Sequence, residues 1–107
     1  MALCWVRAGV CGHESSIEAR KVDPTHVVFE ITTTCEHIQA LSEALGEVDV
    51  AHDMACRLDE TQVYRLAVEH VCRNSCIMPA AILKAMEAAA GIFLPGDCSI
   101  EFVEGAL

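Results

Sequence analysis

The hydrophobic period of this chain changes at Thr33, and that change restricts the folds open to it. Up to Thr33 the apolar residues alternate with period two, the spacing of a strand with one wet face. Beyond Thr33 they recur at three and four residues, the spacing of helices. Strands grouped before helices, with no strand–helix–strand alternation between them, point away from a parallel sheet. They point to an antiparallel sheet covered by helices.

His26 to Thr33 is the clearest strand. Val27, Phe29, Ile31 and Thr33 share one face and Val28, Glu30 and Thr32 the other. Asp23-Pro24-Thr25 before it is a turn, with Pro24 presetting φ. Ser16 to Val22 alternates in the same way, Leu3 to Ala8 is β-compatible, and Gly9 to Glu14 joins the two as a loop with two glycines. Thr34 is placed to cap a first helix through Ile38, Leu41 and Leu45, with Gly46 as its stop. Residues 47–60 show no clear period beyond a short helix over His52 to Leu58. Asp59 or Thr61 caps the next helix, which should run to Arg73-Asn74. Pro79 suits the first turn of another, with Ile82, Leu83 and Met86 on its buried side. Pro95-Gly96-Asp97 breaks the helical pattern, and Ser99 to Val103 alternates again as a closing strand. The expectation is one α+β domain over residues 1–107. It is a two-layer sandwich in the order β-β-β-α-α-α-β, with an antiparallel sheet of about four strands and helices on one face.

The chain has 107 residues, 16 acidic and 7 basic, for a net charge of −9. Such a surface repels phosphate backbones and anionic membranes, so no nucleic acid and no membrane is expected among its partners. The N-terminal residues meet Arg7 too early for a signal peptide. Ala80 to Leu94 is interrupted by Lys84 and Glu87 and falls short of the ~20 apolar residues that span a bilayer. A cytoplasmic location is the expectation.

Seven cysteines then need an account. The number is odd and the expected compartment is reducing, so a disulfide framework does not fit. The strand and helix order makes a geometric statement instead. If the first strand ends at the top of the sheet, the Cys11 loop lies there. The third strand returns upward to Cys35, and a helix rising from Thr61 brings Cys72 and Cys76 to the same rim. Cys4 and Cys98 fall at the opposite end. Histidines His13, His37 and His70 accompany the upper group. Thiolates and imidazoles are the ligands of zinc and of iron–sulfur clusters. The candidate metal ligands are therefore Cys11, Cys35 and Cys76, with Cys72, His70 or His37 completing the set. There is no CxxC pair. Cys72-x3-Cys76 is the one helical i, i+4 spacing within the group, and His52-x3-Cys56 repeats that spacing elsewhere. No phosphate loop, paired catalytic carboxylates or Ser-His-Asp pattern is present, and no catalytic residue is assigned.

Cys11-Gly12, Cys35-Glu36-His37-Ile38 and the block from Cys76-Ile77-Met78-Pro79-Ala80-Ala81-Ile82-Leu83-Lys84-Ala85 to Ala88-Ala89-Ala90-Gly91 and Leu94-Pro95 resemble a family of small cysteine-containing proteins. These are proteins of unknown function from anaerobic bacteria and archaea. The resemblance spans nearly the whole chain and marks Cys11, Cys35 and Cys76. A second, fainter similarity is to TSCPD-type domains, in which one cysteine opens a helix and a Ser-Cys-Pro-Asp run precedes another. Here Ser75-Cys76 is separated from Pro79 by two residues.

Three functions fit these observations. The first is a metal- or iron–sulfur-binding protein, with zinc or a cluster as cofactor, acting in metal or cluster transfer or in sensing. The second is a binding or oligomerisation module, with a protein partner or a second copy, in which the cysteines fill the core. The third is a thiol redox enzyme, which needs a cysteine of low pKa.

Overall fold

The computed structural model describes residues 1–105. Its elements are β1 (Ala2–Arg7), β2 (Glu14–Lys21), β3 (His26–Thr33), α1 (Glu36–Ala44), β4 (Val48–Asp49), α2 (Val50–Ala55), a 3₁₀ turn (Leu58–Glu60), α3 (Gln62–His70) and α4 (Met78–Ala89). The sheet is antiparallel throughout, in the spatial order β1-β2-β3-β4. This is the α+β architecture that the change of period implies.

Registers put Cys4 opposite Ile17, Val6 opposite Ser15, Ile17 opposite Ile31 and Ala19 opposite Phe29. These residues form the inner face, and Val6, Ile17, Ala19 and Val27 are buried there. The alternate residues, among them Leu3, Trp5, Glu18 and Glu30, face outward. Helix α4 packs on β1 and β2 and α1 packs on β3, while α3 contacts both helices. Ile38, Leu41, Val63, Met78, Ile82 and Met86 are the helical half of the core. They stand at three- and four-residue intervals within each helix, so each helix buries a single stripe.

The fourth strand is not where alternation placed it. Ser99 to Val103 belongs to no strand, and residues 91–105 are exposed throughout. The sheet's fourth strand is the two-residue β4, which pairs His26 with Asp49 and Val27 with Val48. Two residues are too few to carry any period, whereas an alternating segment forms a strand only where an edge accepts it. Gly46 also lies outside its expected role. Leu45 is the C-cap of α1 in an extended conformation, and no left-handed residue ends the helix. Helix α3 stops at His70, short of Arg73-Asn74. Thr61 caps it by accepting from the Tyr64 N–H at 3.1 Å. Pro79 lies in the first turn of α4, as its fixed φ favours.

Asp53 was not legible in the sequence, yet it ties the least regular segment to the body. Its side chain is buried and accepts from the Gln62 N–H at 3.0 Å, from the Val63 N–H at 3.5 Å, and pairs with His52 Nδ1 at 2.8 Å. The first two are free amides of the α3 N-terminus, where a carboxylate also meets the positive end of the helix dipole.

The β2–β3 turn is closed by one oxygen. Asp23 Oδ1 accepts from the backbone N–H groups of Thr25 and His26, both at 2.8 Å, from Thr25 Oγ1 at 3.0 Å, and faces His26 Nδ1 at 3.0 Å. The Thr25 amide, and then the His26 side chain, hold the Asp23 carboxyl down to about 2. The same contact with Asp23 raises His26. A carboxyl lowered by folding stabilises the fold above its unfolded pKa of roughly 4, and loses that contribution as pH falls toward 2. A raised histidine stabilises below its unfolded pKa of roughly 6.5, and loses its contribution as pH rises through the folded value. The turn should therefore contribute most between those limits. In thermal melts across pH, Asp23→Asn should flatten the fall in melting temperature on both sides of that window. Carboxyl NMR should place the Asp23 midpoint near 2.

Candidate metal centre

Four of the seven cysteines come from three separate loops, and local structure fixes the position of each. Ala8 N–H donates to the His13 carbonyl at 3.1 Å and Gly12 N–H to the Gly9 carbonyl at 2.9 Å, which closes the β1–β2 loop. Gly9 and Gly12 have φ of +93° and +75°, a region where a Cβ is strained. The tip they bracket holds Val10 and the exposed Cys11.

Cys35 is the N-cap of α1 and is buried. Its side chain makes no capping hydrogen bond and packs in the hydrophobic core. Its position is set from beneath. Ser15 Oγ, buried on β2, donates to Thr33 Oγ1 at 2.8 Å, and the Cys35 N–H donates to the same Thr33 oxygen at 3.1 Å. His13 Nδ1 lies 2.8 Å from Thr34 Oγ1 and joins the Cys11 loop to the start of α1. The threonine expected to cap α1 therefore bridges two cysteine-bearing segments instead.

Cys72 and Cys76 lie in the connection between α3 and α4, Cys72 exposed and Cys76 half-buried. Because α3 ends at His70, the pair does not share a helical face, as its spacing had implied. A turn closed by the Cys76 N–H on the Arg73 carbonyl at 3.2 Å brings the chain round instead. Cys76 directly precedes the Ile77 cap of α4. Two of the four sulfurs thus belong to residues at helix starts, where unpaired amides and the dipole favour negative charge.

Cys76 lies within electrostatic reach of the other three. Burial pushes its thiol up, the Met78 backbone amide works in the opposite direction, and charge on Cys72, Cys35 and Cys11 raises it further. The group is a cluster without ligand-tight closure, since no three of its sulfurs lie within 4.8 Å of one another. Among the described residues, His37 and His70 make no side-chain hydrogen bond and belong to no close ligand group. His37 is exposed in the first turn of α1, and His70 is half-buried at the end of α3.

The remaining cysteines lie elsewhere. Charge on Cys98 and Asp97 reaches Cys4, whose thiol is raised first by burial. The two cysteines expected at the far end are thus near each other. Cys56 falls in a second group with His52 and Asp53, whose ligand atoms lie within 4.8 Å of one another. Both Asp53 oxygens there already accept amides of α3. A third group, Asp23, His26 and Glu47, is built on the β2–β3 turn. Asp53 and Glu47 were not legible as members of such groups: Asp53 stands between His52 and Cys56 in a segment, 47–60, with no period to orient it, and Glu47 is distant in the chain from Asp23 and His26.

The chain belongs to DUF6951, a family of unknown function whose model matches residues 3–102. No curated protein matches the chain, and no solved structure matches it.

The Ser15–Thr33–Cys35 bridge generates a direct test. Thr33→Val keeps the shape but strips the shared oxygen, leaving a buried hydroxyl and an amide without a partner. It should lower stability by roughly 1–3 kcal/mol in urea unfolding, with Thr33→Ser restoring most of the loss. A neutral Thr33→Val would show that the bridge does not hold the start of α1.

Proposed function

We propose that this protein binds a soft metal centre, an iron–sulfur cluster in preference to a single zinc ion, through Cys11, Cys35, Cys72 and Cys76 at one rim of the sheet. The observation that carries this reading is the reach of Cys72, Cys35 and Cys11 to Cys76 from three different loops. Small thiols used only as core filler have no reason to gather, and Cys11 and Cys72 are exposed, which is not where filler lies.

Spacing separates the two kinds of centre. A zinc–sulfur bond is about 2.3 Å, so two sulfurs on one ion stand at most ~4.6 Å apart. No three of these sulfurs meet that limit. In a cluster the thiolates bind different iron atoms and stand farther apart, which suits the wider arrangement. The helix starts at Cys35 and Cys76 would offset part of the negative charge of a thiolate cluster. Exposed ligands on two loops suit exchange with a donor or acceptor better than a sealed structural site. The transfer or sensing reading rests on that exposure.

A nucleophilic thiol is less well supported. Such a residue needs a depressed pKa, and burial holds Cys76 above its ordinary value.

Anoxic reconstitution with ferrous iron and sulfide should give a chain that retains both through desalting, with visible thiolate-to-iron absorption. Cys35→Ser and Cys76→Ser should each lose it, whereas Cys56→Ser should not. Metal at background level, with all seven thiols freely titratable in the folded protein, overturns the proposal. Retention of zinc but not iron overturns the preference for a cluster.

A further inference from the structure

We propose that residues 99–103 form an intermolecular strand, pairing with the open edge of β1 in a second copy of the chain, so that two copies exchange tails. Two features of one chain are each incomplete, and each supplies what the other lacks.

The first is the edge. Within the described residues β1 has β2 on one side and no strand on the other. Its outer row of backbone N–H and C=O groups is therefore a template for another strand. It is not protected by proline or by lysine, and its outward side chains include Leu3 and Trp5, 73% and 64% exposed.

The second is the tail. Ser99-Ile100-Glu101-Phe102-Val103 has strand alternation and strand-forming residues. Residues 99–102 belong to no strand, and no backbone hydrogen bond joins them to another described residue. Ile100 is 81% exposed and Phe102 98% exposed. Apolar side chains left that bare on a segment of this pattern indicate a partner.

Geometry favours a second copy over the chain's own edge. The tail leaves α4 through Gly91, at φ +75°, and Cys98 comes within electrostatic reach of Cys4. Cys4 is the third of six residues in β1. From that point the strand offers at most three more residues in either direction, so a five-residue segment overshoots and leaves Phe102 beyond its end. The edge of a second copy is likewise paired with no strand, and it can take the segment in a register that the chain's own Cys98 does not fix. Two-fold exchange uses both edges and both tails and closes the assembly. Trp5 and Phe102 from each copy bury about 150–250 Å² apiece when covered, which is at least half of the ~1,200 Å² at which stable interfaces begin.

Sedimentation equilibrium of the full chain at tens of micromolar should give a dimer. Ile100→Glu with Phe102→Glu should return it to monomer with an unchanged circular dichroism spectrum. Mixing isotope-labelled and unlabelled copies should give filtered NOEs between the Phe102 ring and β1 amides across chains. A monomeric wild type overturns the proposal, as does a dimer that survives the double substitution. A tail that pairs only with its own β1, giving no cross-chain NOEs, also overturns it.

Discussion

The sheet has one apolar face, and the rest of the molecule follows from that restriction. With Ile17, Ala19, Val27 and Val6 on the inner side and Glu18, Arg20, Glu30 and Thr32 on the outer, only one layer of helices can be accommodated. A helix laid across the outer face would bury those charges without partners, at several kcal/mol each by order of magnitude. All helices are therefore on the same side, and every connection between strand and helix must turn at one end of the sheet or the other. Cysteines in those connections are gathered at the ends by topology, before any cofactor is invoked.

Four of them, Cys11, Cys35, Cys72 and Cys76, lie in the connections between the long elements. β2, β3, α1 and α3 have eight or nine residues each. Strands rise about 3.3 Å per residue and helices 1.5 Å, so each strand traverses the layer and each helix covers only part of it. The loops take up the difference; the turn around Cys11 is closed by backbone hydrogen bonds, and the one around Cys76 by a backbone hydrogen bond and by packing of Cys76 and Ile77 on the core.

Legibility in the sequence followed the same division. The three long strands, the helices with Ile38-Leu41 and Ile82-Met86, and the Thr61 and Pro79 starts could be read because each is a local pattern repeated over several residues. The rim could be read because it follows from the order of those elements. β4 could not, being two residues long and defined by its pairing with His26 and Val27. Asp53 could not, because its meaning lies in amides nine and ten residues away. The tail was misassigned to this sheet because alternation shows that a segment suits a strand and says nothing about which edge receives it. The helical spacing of Cys72 and Cys76 misled similarly, since α3 ends two residues before the first of them.

The outward position of Trp5 has a spectroscopic consequence. It is the chain's one tryptophan, it lies on the bare side of the outermost strand, and most of its ring meets water. Its fluorescence in an isolated folded chain should already be red-shifted, close to that of the denatured state. Intrinsic emission would then be nearly silent to global unfolding, and would respond instead to whatever settles against that side of the strand.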